Sequence, residues 1–305
     1  MISVENRYFT YENDDAKILL IYLAGKGAGK GLLVCFSFWR SDNMKRWKKS
    51  RSTPQHIIGV CTVVVIFYLW WYVTDREFIK AMFLPSPGQV WETFKTISTE
   101  GNKGNTLGGH MLVSMKRLVI AMFFAIVTAI PFGLVCGYFK NVKAVFEPIL
   151  AFYRPLPPLA YYSLLVLWLG IDDSSKITLL FLAGFSPIYI SCMASISRVK
   201  EDYIYGSYSM GASRFQTFLH VILPSALPDI FIGLRNALSG TYRTLVAAEM
   251  VAAVSGIGWM VVDAGDYLRS DVIFVGIIVM GITGLILENG ILWIEKKIVP
   301  WKGKE

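Results

Sequence analysis

Histidine is scarce in this chain, with only His56, His110 and His220, too far apart for any metal-ligand spacing. Cysteine is nearly as rare. Cys61, Cys136 and Cys192 lie inside apolar runs and Cys35 stands alone, so neither a disulfide framework nor a zinc site is implied, and no metal is expected. No nucleophile elbow and no carboxylate pair stands out, so no catalytic residue is assigned. The glycine-rich "GKGAGKG" fails as a phosphate-binding loop. Gly25 and Gly29 enclose three residues where the motif needs four, and Gly31 takes the place of the magnesium-binding Ser or Thr.

Charge is the other scarcity. Only 17% of the 305 residues are charged while 54% are hydrophobic, and the mean hydropathy is +0.49, which excludes an ordinary soluble domain. The formal net charge is +8, but the basic residues are scattered at the edges of apolar runs. That pattern fits membrane orientation and not nucleic acid, which is not expected as a partner.

What the chain has instead is length in its apolar runs. A bilayer-crossing helix needs about 20 apolar residues, and six runs approach that length, at about 56–74, 116–139, 149–170, 177–197, 230–253 and 272–294. Backbone polar groups in hydrocarbon must be satisfied within each segment, so the expected fold is an all-α integral membrane protein with about six transmembrane helices surrounded by lipid. "MKRWKKSR" at 44–51 precedes the first run, and Lys296, Lys297, Lys302 and Lys304 follow the last. The positive-inside rule places both termini in the cytoplasm. Lys140, Lys143, Arg198, Lys200 and Arg214 agree with that topology, and the acidic "GIDDSS" falls outside. Lys116 and Arg117 are the exception, read as side chains that snorkel from the outer end of the second span, with a local topology error as the alternative.

Residues 1–43 differ in kind and are expected to be a poorly ordered extension, or sequence upstream of a start at Met44. Residues 44–75 form a basic segment and the first span. The remainder, 84–303, is the transmembrane domain, with a long cytoplasmic loop at 198–229.

That loop carries the most informative stretch, "GASRFQTFLHVILPSALPDI" at 211–230. Phe215, Phe218, Leu219 and Ile222 fall at i, i+3, i+4 and i+7, one stripe of a short helix. Pro224 is expected to end that helix and Pro228 to open the next span. A helix this short is marginal alone, so its stripe must be covered by the bilayer surface or by another protein.

Gly211, then nine residues, Val221, one residue and Leu223-Pro224 resemble the cytoplasmic loop of ABC importer permeases, in which a short coupling helix docks on the ATPase subunit. The likeness is to the nitrate, sulfonate and taurine permease family. It extends through "EPILAFYRPLPPLAYYSLLVLWLGIDDSSKI" at 147–177, "TLVAAEMVAAVSGIGWMVVDAGDYLRSDV" at 244–272 and "VPWKG" near the end. The resemblance implies a type I ABC importer permease fold in the bacterial inner membrane, working as a homodimer with an ABC ATPase and an extracytoplasmic substrate-binding protein. The chain itself would be a permease and not an enzyme, and would hold no cofactor, ATP being bound by the partner ATPase. Gly211, Ala212, Phe215, Phe218, Leu219, Val221, Leu223 and Pro224 would then couple to the ATPase. The family's Glu-Ala-Ala falls on Tyr205, Gly206 and Ser207, so a salt bridge from that position is not expected. Taurine or another alkanesulfonate is the substrate implied, with nitrate or a pyrimidine-type precursor as the alternative. A secondary transporter is the rival of another class, and the internal repeat it should show is not evident.

Pathway candidates come from two places. Pro155 and Pro157 lie in "YRPLPPLAYY", either a plain helix start with Arg154 as its anchor or a turn lining the pathway. Tyr242, Arg243 and Glu249 lie within the fifth run, where ionisable groups are costly and face a bundle interior or a wet cavity. Arg243 and Glu249 are six residues apart and cannot pair on one helix face, so each needs a partner elsewhere. Glu249 is divided between helix-packing hydrogen bonds and a pathway role. Gly133 and Gly137 are read as a packing pair.

Overall fold

In a computed structural model, the described residues are 52–302, with side chains from residue 57 onward, together with the backbone of four strands between residues 3 and 39. The strands β1 (Ser3–Glu5), β2 (Tyr8–Asn13), β3 (Ala16–Leu23) and β4 (Leu32–Trp39) form an antiparallel meander in sequence order. Tyr8 pairs with Ile21 between β2 and β3, and Ala16 with Trp39 between β3 and β4. No strand was expected in that segment. The "GKGAGKG" stretch and the basic run at 44–51 lie outside the described residues, as do 303–305.

From residue 52 on the all-α expectation holds. The helices are α1 (Ser52–Asp75), α2 (Pro87–Thr99), α3 (Leu107–Tyr138), α4 (Lys140–Tyr153), α5 (Pro158–Leu169), α6 (Asp173–Ser197) and α7 (Glu201–Ser209). They are followed by α8 (Arg214–Ala252), α9 (Ile257–Asp266) and α10 (Ser270–Ile298). Among the described residues five of these, α1, α3, α6, α8 and α10, are long and apolar enough to cross a membrane.

The third expected span, 149–170, is not one helix. It breaks between Tyr153 and Pro158, and α5 has 12 residues, a rise of about 18 Å against a hydrocarbon core of about 30 Å. Pro155, Pro157 and Pro158 explain the break, since each lacks an N–H and Pro158 forces Pro157 out of the helical region. Pro157 itself is extended, at φ −61° and ψ 131°. Tyr153 and Tyr161 join hydroxyls across the gap at 2.9 Å.

A second correction concerns Pro224, which does not end a helix. The chain is helical without interruption from Arg214 to Ala252, passing through one π turn at Phe218–Ile222. Leu223 N–H bonds to Phe218 O across that turn. A π turn inserts an extra residue and loosens the ladder, which accommodates a proline where a regular α-helix would clash. It also shifts the phase of the apolar stripe. Ile222 is buried and Phe218 half-buried, while Phe215 and Leu219 remain exposed.

The core is built by α3, α6 and α8. Leu118, Ala121, Met122, Ala125, Ala129 and Cys136 recur on one face of α3, and they meet Leu180, Ile188, Tyr189 and Cys192 of α6 and Ala226, Ile230, Ala237 and Leu245 of α8. The small residues let backbones approach. A Cβ on Gly133 would sit 2.7 Å from Cys192 Cβ and 2.9 Å from Tyr189 O, and one on Gly137 would sit 3.1 Å from Met193 O.

Candidate functional site

The polar loop folds into a defined surface. Helix α7 ends in a Schellman turn, where Ala212 N–H bonds to Ser207 O (3.1 Å) and Gly211 N–H to Tyr208 O (2.9 Å). Gly211 takes φ +83°. A Cβ there would meet nothing, so the left-handed backbone alone calls for glycine. Ser213 then caps α8 in a reciprocal box with Gln216. The two arms are fastened by a buried hydroxyl pair, Ser207 to Thr217 at 2.9 Å.

Around this turn Tyr205, Tyr208, Met210, Phe215 and Leu219 are all exposed. Phe218 turns inward and packs edge-on against Tyr138, ring centres 5.5 Å apart. Val221, Leu223 and Pro224 are half-buried, as is Ala212. The outward surface is therefore wider than the expected stripe and includes α7. Sequence periodicity centred on 214–222 could not show the α7 contribution.

The pathway candidates do not come together. Pro155 and Pro157 are exposed in the α4–α5 turn. Tyr242 donates its hydroxyl to Met280 O at 2.9 Å and lines a cleft of about 220 Å³ with Arg235, Ser239, Gly284 and Glu288. Arg243 is exposed, and its Nε donates to Ser239 O at 3.2 Å, one turn back on its own helix. Ile232, Asn236, Ser239, Arg243 and Met250 are exposed along one side of α8.

Glu249 faces away from that side, into a buried charge cluster that sequence reasoning missed. The residue is 1% exposed. Arg117 Nη1 donates to its Oε1 at 2.8 Å, Ser114 Oγ donates at 2.8 and 2.9 Å to its two oxygens, and Gly258 N–H donates to Oε2 at 3.0 Å. Arg117 is 3% exposed. It reaches Asp173 Oδ1 through Nε (2.8 Å) and Nη2 (2.7 Å), and Ser255 O through Nη1 (2.9 Å). Arg117 therefore does not snorkel, because it is buried with every nitrogen of the guanidinium partnered by protein; Lys116 is exposed as that reading requires. The available signal was the spacing of His110, Ser114 and Arg117, polar residues at i, i+4 and i+7 on one face of an otherwise apolar helix. Nearby, Lys176 is buried and donates to Ile171 O (2.5 Å) and Asp172 O (3.3 Å).

Glycine geometry closes the cluster. Gly256 takes φ +123°, and a Cβ on it would lie 2.4 Å from the Glu249 carboxylate; one on Gly258 would lie 2.6 Å from Val246 O. The motif "SGIG" is thus shaped around a carboxylate. No group of His, Cys, Asp and Glu suited to a metal occurs among the described residues.

Residues 129–300 match the family described as "Binding-protein-dependent transport system inner membrane component". The chain belongs to that family. It is an ABC importer permease, a multi-pass protein of the inner membrane. It is 41% identical over 260 residues, 85% of this chain and 94% of the relative, to "Taurine transport system permease protein TauC" of Escherichia coli (strain K12). It is 29% identical over 257 residues to "Putative aliphatic sulfonates transport permease protein SsuC" of Bacillus subtilis (strain 168), covering 84% and 92% of the two chains. It is 30% identical over 257 residues to "Nitrate import permease protein NrtB" of Synechocystis sp., covering 83% and 92%.

Proposed function

We propose that this permease imports taurine or another alkanesulfonate, as two copies joined to two ATPase subunits and served by an extracytoplasmic binding protein. The 41% identity across nearly the whole length of a taurine permease is the observation that carries the substrate. The nitrate permease supports a second reading, in which the same machinery carries a smaller oxyanion. ATP is bound and hydrolysed by the partner, and this chain contributes neither cofactor nor catalysis. Both termini are cytoplasmic, as the distribution of Lys and Arg supports. The Tyr205, Tyr208, Met210 and Phe215 surface then lies on the ATPase side and serves as the coupling surface.

The exposed side of α8 supports pairing of two copies. Arg243 stands nine residues from the outer end of that helix, roughly 14 Å along the axis, where a charge facing lipid costs on the order of 3 kcal/mol. Among the described residues it has no ion pair, and Glu249 is already occupied by Arg117. A second copy's Glu249 would be occupied in the same way. The face bearing Asn236, Ser239 and Arg243 is accordingly assigned to a wet interface between copies, where a planar guanidinium can engage two oxygens of a passing sulfonate.

Growth of a deletion strain on taurine, on longer alkanesulfonates and on sulfate as sole sulfur source tests the substrate. Loss of growth on sulfonates alone is expected, and normal growth on every sulfonate would refute it. Arg243→Gln should lower uptake while dimer assembly and thermal stability stay near wild type. Loss of assembly in step with uptake would make Arg243 a packing residue instead.

A further inference from the structure

Helix α9 begins without a capping side chain from its own leader. The first N–H groups of a helix have no intrahelical acceptor and need partners when buried. Here three consecutive ones are met by other helices. Gly256 N–H donates to His110 Nδ1 (3.2 Å), Ile257 N–H to Ser114 Oγ (3.0 Å) and Gly258 N–H to Glu249 Oε2 (3.0 Å). His110 and Ser114 are one turn apart on α3, and Glu249 lies in the last turn of α8. All three are buried. A carboxylate near the C-terminus of its own helix is disfavoured by the dipole, and the N-terminus of α9 offsets that. Arg117 then ties Glu249 back to α3 and onward to Asp173 of α6.

The other end of α9 is fastened differently. Lys103, at the tip of the 101–105 turn, donates to Asp263 Oδ1 at 2.6 Å and stands 4.0 Å above the Tyr267 ring. That hydrogen bond holds the lysine above its ordinary titration range. His110 Nε2 lies 3.4 Å from Asn102 O, so the imidazole links this turn to the cap. Leu268 closes the helix in the left-handed region at φ +55°, with Arg269 N–H bonded to Ala264 O at 2.9 Å. A leucine in that conformation is strained. A ten-residue helix thus hangs between a cap supplied by the core and a strained turn.

We propose that His110, Ser114 and Glu249 are positioning residues for transport: their cap makes α9 one rigid piece with the outer ends of α3 and α8, so that α9 moves when those helices rock. This rests on the orientation proposed above, which puts α9 on the binding-protein side. The three acceptors come from the helices that form the core, and no bond within the leader duplicates them. Losing one acceptor frees α9 locally and leaves the α3–α6–α8 core intact.

The test uses the complete transporter in proteoliposomes with its binding protein. A nitroxide is placed on Asp266→Cys, an exposed position, in an otherwise cysteine-free chain. Ser114→Ala and His110→Phe each remove an acceptor. Leaving one N–H unsatisfied shifts the held-to-free ratio of α9 roughly tenfold. The spin-label spectrum should show a mobile component, and binding-protein stimulation of ATP hydrolysis should fall while unstimulated hydrolysis persists. Ser114→Thr keeps the hydroxyl and His110→Asn places an oxygen near the Nδ1 position, so both should retain an immobile label and stimulation within about twofold of wild type. An immobile label in Ser114→Ala, failure of the conservative pair equal to that of the disruptive pair, or loss of stimulation only in proportion to folded protein would each overturn the proposal. An external paramagnetic chelate that fails to reach position 266 would refute the orientation, and absent taurine uptake in wild type the substrate reading; the mobility comparison is independent of both.

Discussion

Replacing Arg117 with methionine removes the one cation that, among the described residues, contacts the Glu249 carboxylate. The two halves of the guanidinium's work differ in weight. Asp173 has a side chain 49% exposed, so water replaces that pair and its loss is worth at most about 1 kcal/mol. Glu249 has a side chain 1% exposed and keeps only Ser114 Oγ and Gly258 N–H. Stripping one partner from a buried ion pair costs about 3–5 kcal/mol, because the remaining charge stays desolvated. Arg117→Met should therefore lower stability by about 3–5 kcal/mol, and Asp173→Asn by less than about 1. Glu249→Gln keeps a carbonyl oxygen for Gly258 and removes the charge, so Arg117→Met combined with Glu249→Gln should be about 2 kcal/mol more stable than the sum of the single losses. Equilibrium unfolding in mixed detergent micelles, followed by circular dichroism across the four proteins, gives the cycle directly. An Arg117→Met loss under about 1 kcal/mol, or strict additivity, would show that the pair is not the element that holds these helix ends.

Three further outcomes follow from geometry. Gly133→Val must push α3 from α6, since its Cβ would lie 2.7 Å from Cys192 Cβ; about 1–3 kcal/mol or more of destabilisation is expected, whereas Gly290→Val, with nothing within 4 Å, should leave membrane levels unchanged. Gly211→Glu, which strains the turn at φ +83°, and Phe215→Asp, which charges an exposed aromatic, should leave the permease in the membrane and reduce copurification with the ATPase; unchanged copurification in both would remove the coupling role. Cysteine placed at Ser174 should react with an impermeant reagent from outside and cysteine at Ser225 should not, both positions being exposed; the reverse pattern would invert the topology.

The long helices were legible because an apolar run of bilayer length leaves the backbone little choice. Their ends were less so: α3 begins at Leu107 and α10 ends at Ile298, since helical hydrogen bonding continues into polar flanks that hydropathy discounts. The α4–α5 break was written in Pro155, Pro157 and Pro158, but summed hydropathy over 149–170 concealed it. Pro224 misled in the other direction, because a π turn absorbed it. The Gly211 turn was legible from a single glycine and its spacing to Leu223-Pro224. Arg117 could not be placed from one helix alone, as its partners Glu249 and Asp173 lie 132 and 56 residues away. Without them, a basic residue near a span end reads as an interface anchor.

The most direct test of the central claim is uptake of radiolabelled taurine by proteoliposomes carrying this permease, its ATPase and its binding protein. Accumulation is expected to require ATP and all three proteins, to be reduced by unlabelled alkanesulfonates added as competitors, and to be lost on introducing Gly211→Glu. Uptake that proceeds without ATP and follows an imposed ion gradient would contradict the claim.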